Sequence, residues 1–248
     1  MASTESVKQE TASKRVLFRK HTFDNVSKAW GPWTDLFTID NMSRKTEEFA
    51  FDFPNVMGQI IVYTNLLTVK NQREITHELM ECKLFRQYHI QGSMEPRSHF
   101  LLHEDATDDV LESEVAQPSY RYGITRMKSR PLKTLPHTQQ LSIQVEEMCK
   151  RTIGVGNKEA SNDGSAFWNI GVNPVLYRDG RDKIGFHADD DQQEELILCV
   201  LVSSPRDATR NVVIRPKFRK KEKTKPKHGE DEFQLCLDAG DAYSMDGK

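Results

Sequence analysis

Two residues next but one to each other, His187 and Asp189, carry the clearest potential for chemistry in this chain of 248 residues. They lie in residues 173–191, NPVLYRDGRDKIGFHADDD, where Tyr177 and His187 bracket the four residues DGRD. An Asp-Gly pair suits a hairpin turn, so the chain is expected to reverse there and lay a second strand beside the first. Successive side chains of a strand point to opposite faces, which puts His187 and Asp189 on the same one. An imidazole and a carboxylate so placed can hold one metal ion from adjacent corners. A second His from a neighbouring strand would complete a facial triad of two His and one carboxylate, which suits non-haem Fe(II) and leaves coordination positions open.

The pattern H-x-D is by itself weak. With eight His and eighteen Asp in the chain, roughly 0.6 such pairs arise by chance. A second one is present, His103-Glu104-Asp105, and it opens residues 104–114, EDATDDVLESE, which hold six acids in eleven residues. No strand pattern follows it, so it reads as an exposed acidic loop. Three consecutive carboxylates, Asp189, Asp190 and Asp191, repel one another, and a bound cation would relieve that repulsion.

The elements that must position His187 are those of a mainly β protein. Beyond Phe167 short apolar segments alternate with Gly, Asp and Pro, giving strands near 167–177, 183–187, 195–202, 211–216, 232–237 and 241–245. Six strands without intervening helices predict an antiparallel sandwich or jelly roll. Upstream, residues 58–67 (GQIIVYTNLL) form a strand, and 71–82 a helix through Ile75, Leu79 and Met80. Pro136 precedes a second helix over 139–152, on which Leu141, Val145 and Met148 make one apolar stripe. Flanking helices on a β core make the class α+β. Residues 1–14 read as a disordered tail, 15–55 as an ordered extension anchored by Trp30, Trp33, Phe37, Phe49, Phe51 and Phe53, and 56–248 as the main domain.

Composition narrows the setting. Hydrophobic residues make up 37% of the chain, and the run 196–202 (LILCVLV) is far too short to span a bilayer. The amino terminus, MASTESVKQETASKR, has no apolar block, so no secretory leader is read there. An intracellular protein, nuclear or cytoplasmic, monomeric and without a membrane partner, is the expectation. Four widely spaced cysteines, Cys82, Cys149, Cys199 and Cys236, form no CxxC pair and are expected as free thiols. Formal charge is 35 − 37 = −2, yet residues 215–228 (RPKFRKKEKTKPKH) hold eight Lys/Arg against one Glu, a local +7 that leaves −9 for the rest. Such a segment suits a nucleic-acid partner, and equally a solvated loop.

The order YRDGRDKIGFHADDD, an apolar strand, RNVVIRP, a basic loop and LDAGDAYSMDG resembles the AlkB family of Fe(II)- and 2-oxoglutarate-dependent dioxygenases. Upstream, EPRSHFLLHED (95–105) is similar to that family's Pro-Arg segment, and PSYRYG (118–123) with LKTLP (132–136) to its Tyr-rich turn and the proline before its helix. The resemblance implies a double-stranded β-helix, or jelly roll, with His187 and Asp189 as iron ligands. It implies Tyr177 as a contact to 2-oxoglutarate and Asp190 as the carboxylate beside the target base. The family commonly has Asn two residues before that Tyr. Here Val175 stands there and Asn173 lies four before, so either Asn173 substitutes or the contact is missing. Fe(II), 2-oxoglutarate and dioxygen are the implied cofactor and cosubstrates, and oxidative removal of alkyl groups from nucleobases is the implied reaction. Tyr120 and Tyr122 are then candidates to stack on an extracted base. Arg215, Lys217, Arg219, Lys220 and Lys221 become candidates to meet phosphates. A dioxygenase acting on protein or small molecules, and a non-catalytic jelly-roll binding domain, stay open beside this reading.

The family's second metal His follows the segment matched here by residues 240–247, and no His occurs after His228. The third ligand and the 2-oxoglutarate arginines are therefore expected beyond Lys248, with the jelly roll incomplete at its carboxyl end. On that expectation the 248-residue chain binds Fe(II) weakly and makes no succinate from 2-oxoglutarate. Robust succinate production by it would overturn the expectation.

Overall fold

The computed structural model describes residues 14–24, 26–40, 45–52, 59–90, 93–106, 119–122, 125–152, 171–179, 182–184, 196–204, 210–214 and 231–246. The chain opens with strands β1 (Lys14–Asp24), β2 (Ala29–Trp30), β3 (Thr34–Asp40), β4 (Glu47–Asp52) and β5 (Gln59–Thr64), followed by helix α1 (Val69–Glu81). Short strands β6 (His89–Ile90), β7 (Ser93–Met94), β8 (Ser98–His99) and β9 (Leu101–His103) lead to the hairpin of β10 (Ser119–Tyr122) and β11 (Thr125–Pro131), and then to helix α2 (Pro136–Thr152). Strands β12 (Gly171–Val172), β13 (Val175–Leu176), β14 (Leu196–Val200), β15 (Arg210–Ile214), β16 (Asp231–Leu237) and β17 (Ala242–Asp246) complete it. The chain divides into two compact units, Met1–Gln72 with Ala188–Lys248, and Arg73–His187.

The first unit is a pair of antiparallel sheets closed on one apolar core. One sheet has the order β15-β16-β1, with β2 and β3 on the far edge of β1, and the other runs β14-β17-β5-β4. Leu17 and Phe18 of β1 and Phe233, Leu235 and Leu237 of β16 meet Ile60 and Val62 of β5 and Tyr243 of β17. Phe18 stacks on Phe51 of β4 at 4.7 Å between ring centroids and on Phe233 at 5.5 Å. Burying such side chains contributes about 1.5–3 kcal/mol each.

Residues 14–52, read from sequence as an extension, are therefore strands of both sheets. Their signal is faint because β1 (KRVLFRKHTFD) spends its outward positions on cross-strand ion pairs: Arg19 with Asp35 at 2.7 Å, Lys20 with Asp231 at 3.4 Å and His21 with Glu232 at 2.9 Å. Trp30 and Trp33 lie against the His21 ring at 4.4 and 3.8 Å. Phe53 lies outside the described residues. The strands expected near 195–202, 211–216, 232–237 and 241–245 are β14 to β17.

Asp241 ties the turns of this unit together. Its carboxylate accepts hydrogen bonds from the backbone N–H of Asn65 (3.0 Å) and of Asp238 (2.8 Å). Arg15 Nη2 lies 2.9 Å from Oδ2, off the hydrogen-bond direction, while Nη1 donates to Asp238 at 2.6 Å. Burial pushes the Asp241 carboxyl above the ordinary aspartate range, and Arg15 and the two N–H groups pull it back. Gly240 beside it has φ +95°, and a Cβ there would sit 2.5 Å from Gln72 Nε2 and 2.8 Å from the Leu67 carbonyl oxygen. Only glycine fits.

In the second unit β9 pairs in parallel with β11 and antiparallel with β12. Phe100, Leu102, Leu132 and Leu135 form its apolar core, with Leu79, Cys82, Leu84, Phe85 and Val172 packed around. Met148 of α2 is buried and Leu141 and Val145 half-buried, as the stripe predicts, whereas Met80 of α1 is exposed. Helix α2 begins at Pro136 and takes its cap from α1: the Glu78 carboxylate accepts the backbone N–H groups of His137 and Thr138, both at 2.8 Å. That satisfies orphan donors and meets the positive end of the helix with a negative charge. Cys82, Cys199 and Cys236 are free, and burial pushes the Cys236 thiol up, away from thiolate chemistry. The side chain of Cys149 lies outside the described residues.

Because Leu235 is fully enclosed between the sheets, Leu235→Ala is expected to lower unfolding free energy by about 2–5 kcal/mol. Leu36→Ala, on the exposed side of β3, should change it by no more than about 0.5 kcal/mol. Urea denaturation followed by far-UV circular dichroism measures both.

Candidate functional site

The polar centre of the second unit is built on residues 95–99, EPRSH. Glu95, Arg97 and His99 are buried while Pro96 is exposed and Ser98 half-buried, the period of two that an extended chain imposes. Three ionisable side chains thus share the inward face, and buried polar groups must find partners. Arg97 Nε donates to Glu95 Oε1, and His99 Nε2 lies 2.9 Å from Glu95 Oε2. Each carboxylate oxygen serves one neighbour.

The chain around this cluster is fixed by its backbone. Arg86 and His99 exchange two backbone hydrogen bonds, at 3.3 and 2.9 Å, and Glu95 N donates to the Tyr88 carbonyl at 2.8 Å. The Tyr88 ring meets His99 edge-on at 4.8 Å. Burial pushes the Tyr88 hydroxyl above its ordinary range, with the Arg86 cation working against it, so the phenol is protonated at neutral pH. Across β8, β13 pairs antiparallel with Val175 opposite His99. The residue just before β13's leading proline, Asn173, brings Oδ1 to 3.3 Å from His99 Nδ1.

Beyond β13 come Tyr177, half-buried, and a closed turn. Arg178 Nε and Nη2 donate to the two oxygens of Asp182 at 2.9 and 3.2 Å, Arg178 N donates to Asp182 Oδ2 at 2.8 Å, and Arg178 Nη2 also reaches the Pro96 carbonyl at 3.2 Å. The DGRD turn is thereby tied to the EPRSH segment. Asp182 is almost enclosed in the structure, yet its titration is governed by the Arg178 hydrogen bonds, which hold its carboxyl below the ordinary aspartate range. The fork of hydrogen bonds outweighs the burial.

A model of the 2OG-Fe(II) oxygenase superfamily matches residues 59–248. The chain belongs to that superfamily. Its members use Fe(II), 2-oxoglutarate and dioxygen, so this chain is of an oxidoreductase family. No curated protein matches it. The match begins at the first residue of β5, after β1 to β4. No helix among the described residues is long and apolar enough to cross a membrane.

Of the site residues expected from sequence, this oxygenase brings Asn173 and Tyr177 to the two ends of β13. His187, Asp189 and Asp190 lie outside the described residues, as do Arg215, Lys217, Arg219, Lys220 and Lys221. Tyr120 and Tyr122 are in β10, in register with Met127 and Thr125 of β11. Among the described residues no three His, Cys, Asp or Glu side chains are grouped to hold a metal. The imidazole and carboxylate of His187 and Asp189 are donors of the kind Fe(II) takes.

The competing pair, His103 and Asp105, is a turn. His103 Nδ1 accepts the Asp105 backbone N–H at 3.1 Å, which occupies that nitrogen, and the Asp105 carboxylate stays largely exposed at 3.9 Å from it. Sequence reasoning missed Glu95, Arg97 and His99 as a group. Their spacing, i, i+2 and i+4, was the available signal, but a rule that places apolar residues inward reads charged ones as outward.

The Arg178 fork sets the acid behaviour of the turn. Since Asp182 titrates below a free aspartate, its contribution is present above the ordinary aspartate pKa and is lost as pH falls through the lower, folded value. A ¹³C titration of the Asp182 carboxyl should show a midpoint below that of unfolded aspartate, and Arg178→Gln should raise it. A midpoint at the ordinary value in the unmutated chain would remove the fork from solution.

Proposed function

We propose that this oxygenase is AlkB-like and oxidatively removes alkyl groups from the bases of a nucleic acid, acting as a monomer in the nucleus or cytoplasm. The observation that carries the reading is the β8–β13 pairing. It sets a Pro-Arg segment like that family's directly beside the strand that runs into Tyr177, two stretches 80 residues apart that the resemblance selects independently. In this reading the protein fold is a jelly roll.

His187 and Asp189 would hold the iron, and Tyr177 and Asn173 would bind 2-oxoglutarate. When bound, the iron couples oxidative decarboxylation of 2-oxoglutarate to hydroxylation of the alkyl carbon, and the hydroxylated adduct sheds an aldehyde. The residues supply recognition. A base must leave its stack to reach the centre, at a cost of a few kcal/mol that an alkyl lesion reduces. Tyr120 and Tyr122 would stack on the extracted base, Asp190 would lie beside it, and Arg215, Lys217, Arg219, Lys220 and Lys221 would meet phosphates.

Two measurements test this. Aldehyde release from a methylated oligonucleotide should require both Fe(II) and 2-oxoglutarate and vanish in His187→Ala; 2-oxoglutarate consumption with no aldehyde from any alkylated strand would reject the substrate. Independently of turnover, anisotropy titrations of a fluorescent duplex should show a log–log salt slope that flattens by up to about 0.9 × 5, or roughly 4, when the five basic residues become Gln. An unchanged slope would make that segment a bystander.

A further inference from the structure

The His99 ring is held at both nitrogens, and the chemistry of its two partners constrains its protons. Glu95 already receives Arg97 Nε–H at Oε1, so it acts as an acceptor and the hydrogen of the 2.9 Å contact at Oε2 belongs to His99 Nε2. A singly protonated ring would then present a bare Nδ1 to Asn173 Oδ1, two acceptors facing one another at 3.3 Å. A doubly protonated ring donates to both. Loss of the Nδ1 proton would instead turn the Asn173 amide over, so that Nδ2–H donates to the ring and Oδ1 faces out. Asn173 is exposed, so the amide group turned away from His99 is the one a ligand meets.

We infer that His99 is a positioning residue whose doubly protonated ring fixes the rotation of the Asn173 amide, turning its NH2 outward to donate to a carboxylate of 2-oxoglutarate. The inference rests on the proposed assignment of Asn173 to the cosubstrate and adds what decides whether that contact is a donor or an acceptor. A carboxylate accepts only, so the wrong rotamer repels it. Raising the pH strips the Nδ1 proton, rotates the amide and weakens cosubstrate binding.

The groups facing the ring are consistent with a held charge. Glu95 supplies the counter-charge from the segment before β8, and Arg97 shares that carboxylate. Tyr88 offers a neutral ring edge, Arg86 lies across the isolated bridge, and β13 places apolar Val175 opposite. The Arg178 cation beside Pro96 is matched by Asp182.

The test is calorimetric titration of the 248-residue chain with 2-oxoglutarate in the presence of manganese(II), which replaces iron without turnover. Asn173→Ala should weaken binding about tenfold, the worth of one hydrogen bond to a charged group. His99→Phe should weaken it equally, and the double variant no further, because the two act as one unit. Asn173→Asp leaves the buried ring untouched and offers no outward donor; it should bind at least as weakly as Asn173→Ala, and it decides the matter if His99→Phe fails to fold. Affinity of the unmutated chain should fall with rising pH, and that slope should disappear in Asn173→Ala. Binding unaffected by Asn173→Ala, or no binding by the unmutated chain, overturns the cosubstrate assignment and the inference with it. A loss in Asn173→Ala alongside wild-type binding by His99→Phe or Asn173→Asp, or multiplicative losses in the double variant, overturns the inference alone.

Discussion

One buried carboxylate, that of Asp241, fixes how the strands of the first unit leave and re-enter their sheets. It gathers the start of β1 through Arg15, the end of β5 through Asn65 and the close of β16 through Asp238. Taking a charge out of water costs several kcal/mol, and here a guanidinium and two backbone donors offset it. The adjoining Gly240 carries the backbone through at positive φ, donating to the Leu201 carbonyl at 2.7 Å and accepting from Leu67 N at 3.0 Å. The Gly-Asp dipeptide that marks the family resemblance in sequence is thus, in space, the junction of its turns. Its residue types are explained by geometry before any ligand is considered.

The second unit solves a different problem with the same means. EPRSH sends three ionisable groups inward where an apolar alternation would be ordinary, and each is satisfied by the next. Leaving any one unpaired would cost its full desolvation penalty, so the cluster holds together as a whole or not at all. Its outer end is an exposed amide, and the bidentate Arg178–Asp182 turn keeps the following chain against Pro96. Rigid polar packing behind an exposed polar group is what a binding site needs in order to present one hydrogen-bonding pattern rather than two.

Much of the fold was legible because it obeys local rules. The late strands showed themselves as short apolar runs between Gly, Asp and Pro, and α2 as a stripe behind Pro136. β1 was hidden because its charges are matched by partners some 210 residues away, a fact no window of sequence contains. The helix-capping role of Glu78 was hidden for the same reason. Of the site, Asn173 and Tyr177 were reached by spacing and resemblance together, and the structure sets them at either end of one short strand. Glu95, Arg97 and His99 escaped because periodicity was sought in apolar residues only.

The strands ahead of the family match bear on how this protein can be handled. β1 lies along β16 and β4 along β5, so a clone begun at Gln59, where the match begins, would strip one neighbour from each sheet. Two rows of backbone donors and acceptors, flanked by Phe233, Leu235, Ile60 and Val62, would face water. Bare edges of that kind recruit other chains. Insoluble material from such a clone would reflect the missing amino-terminal strands and say nothing of the oxygenase itself.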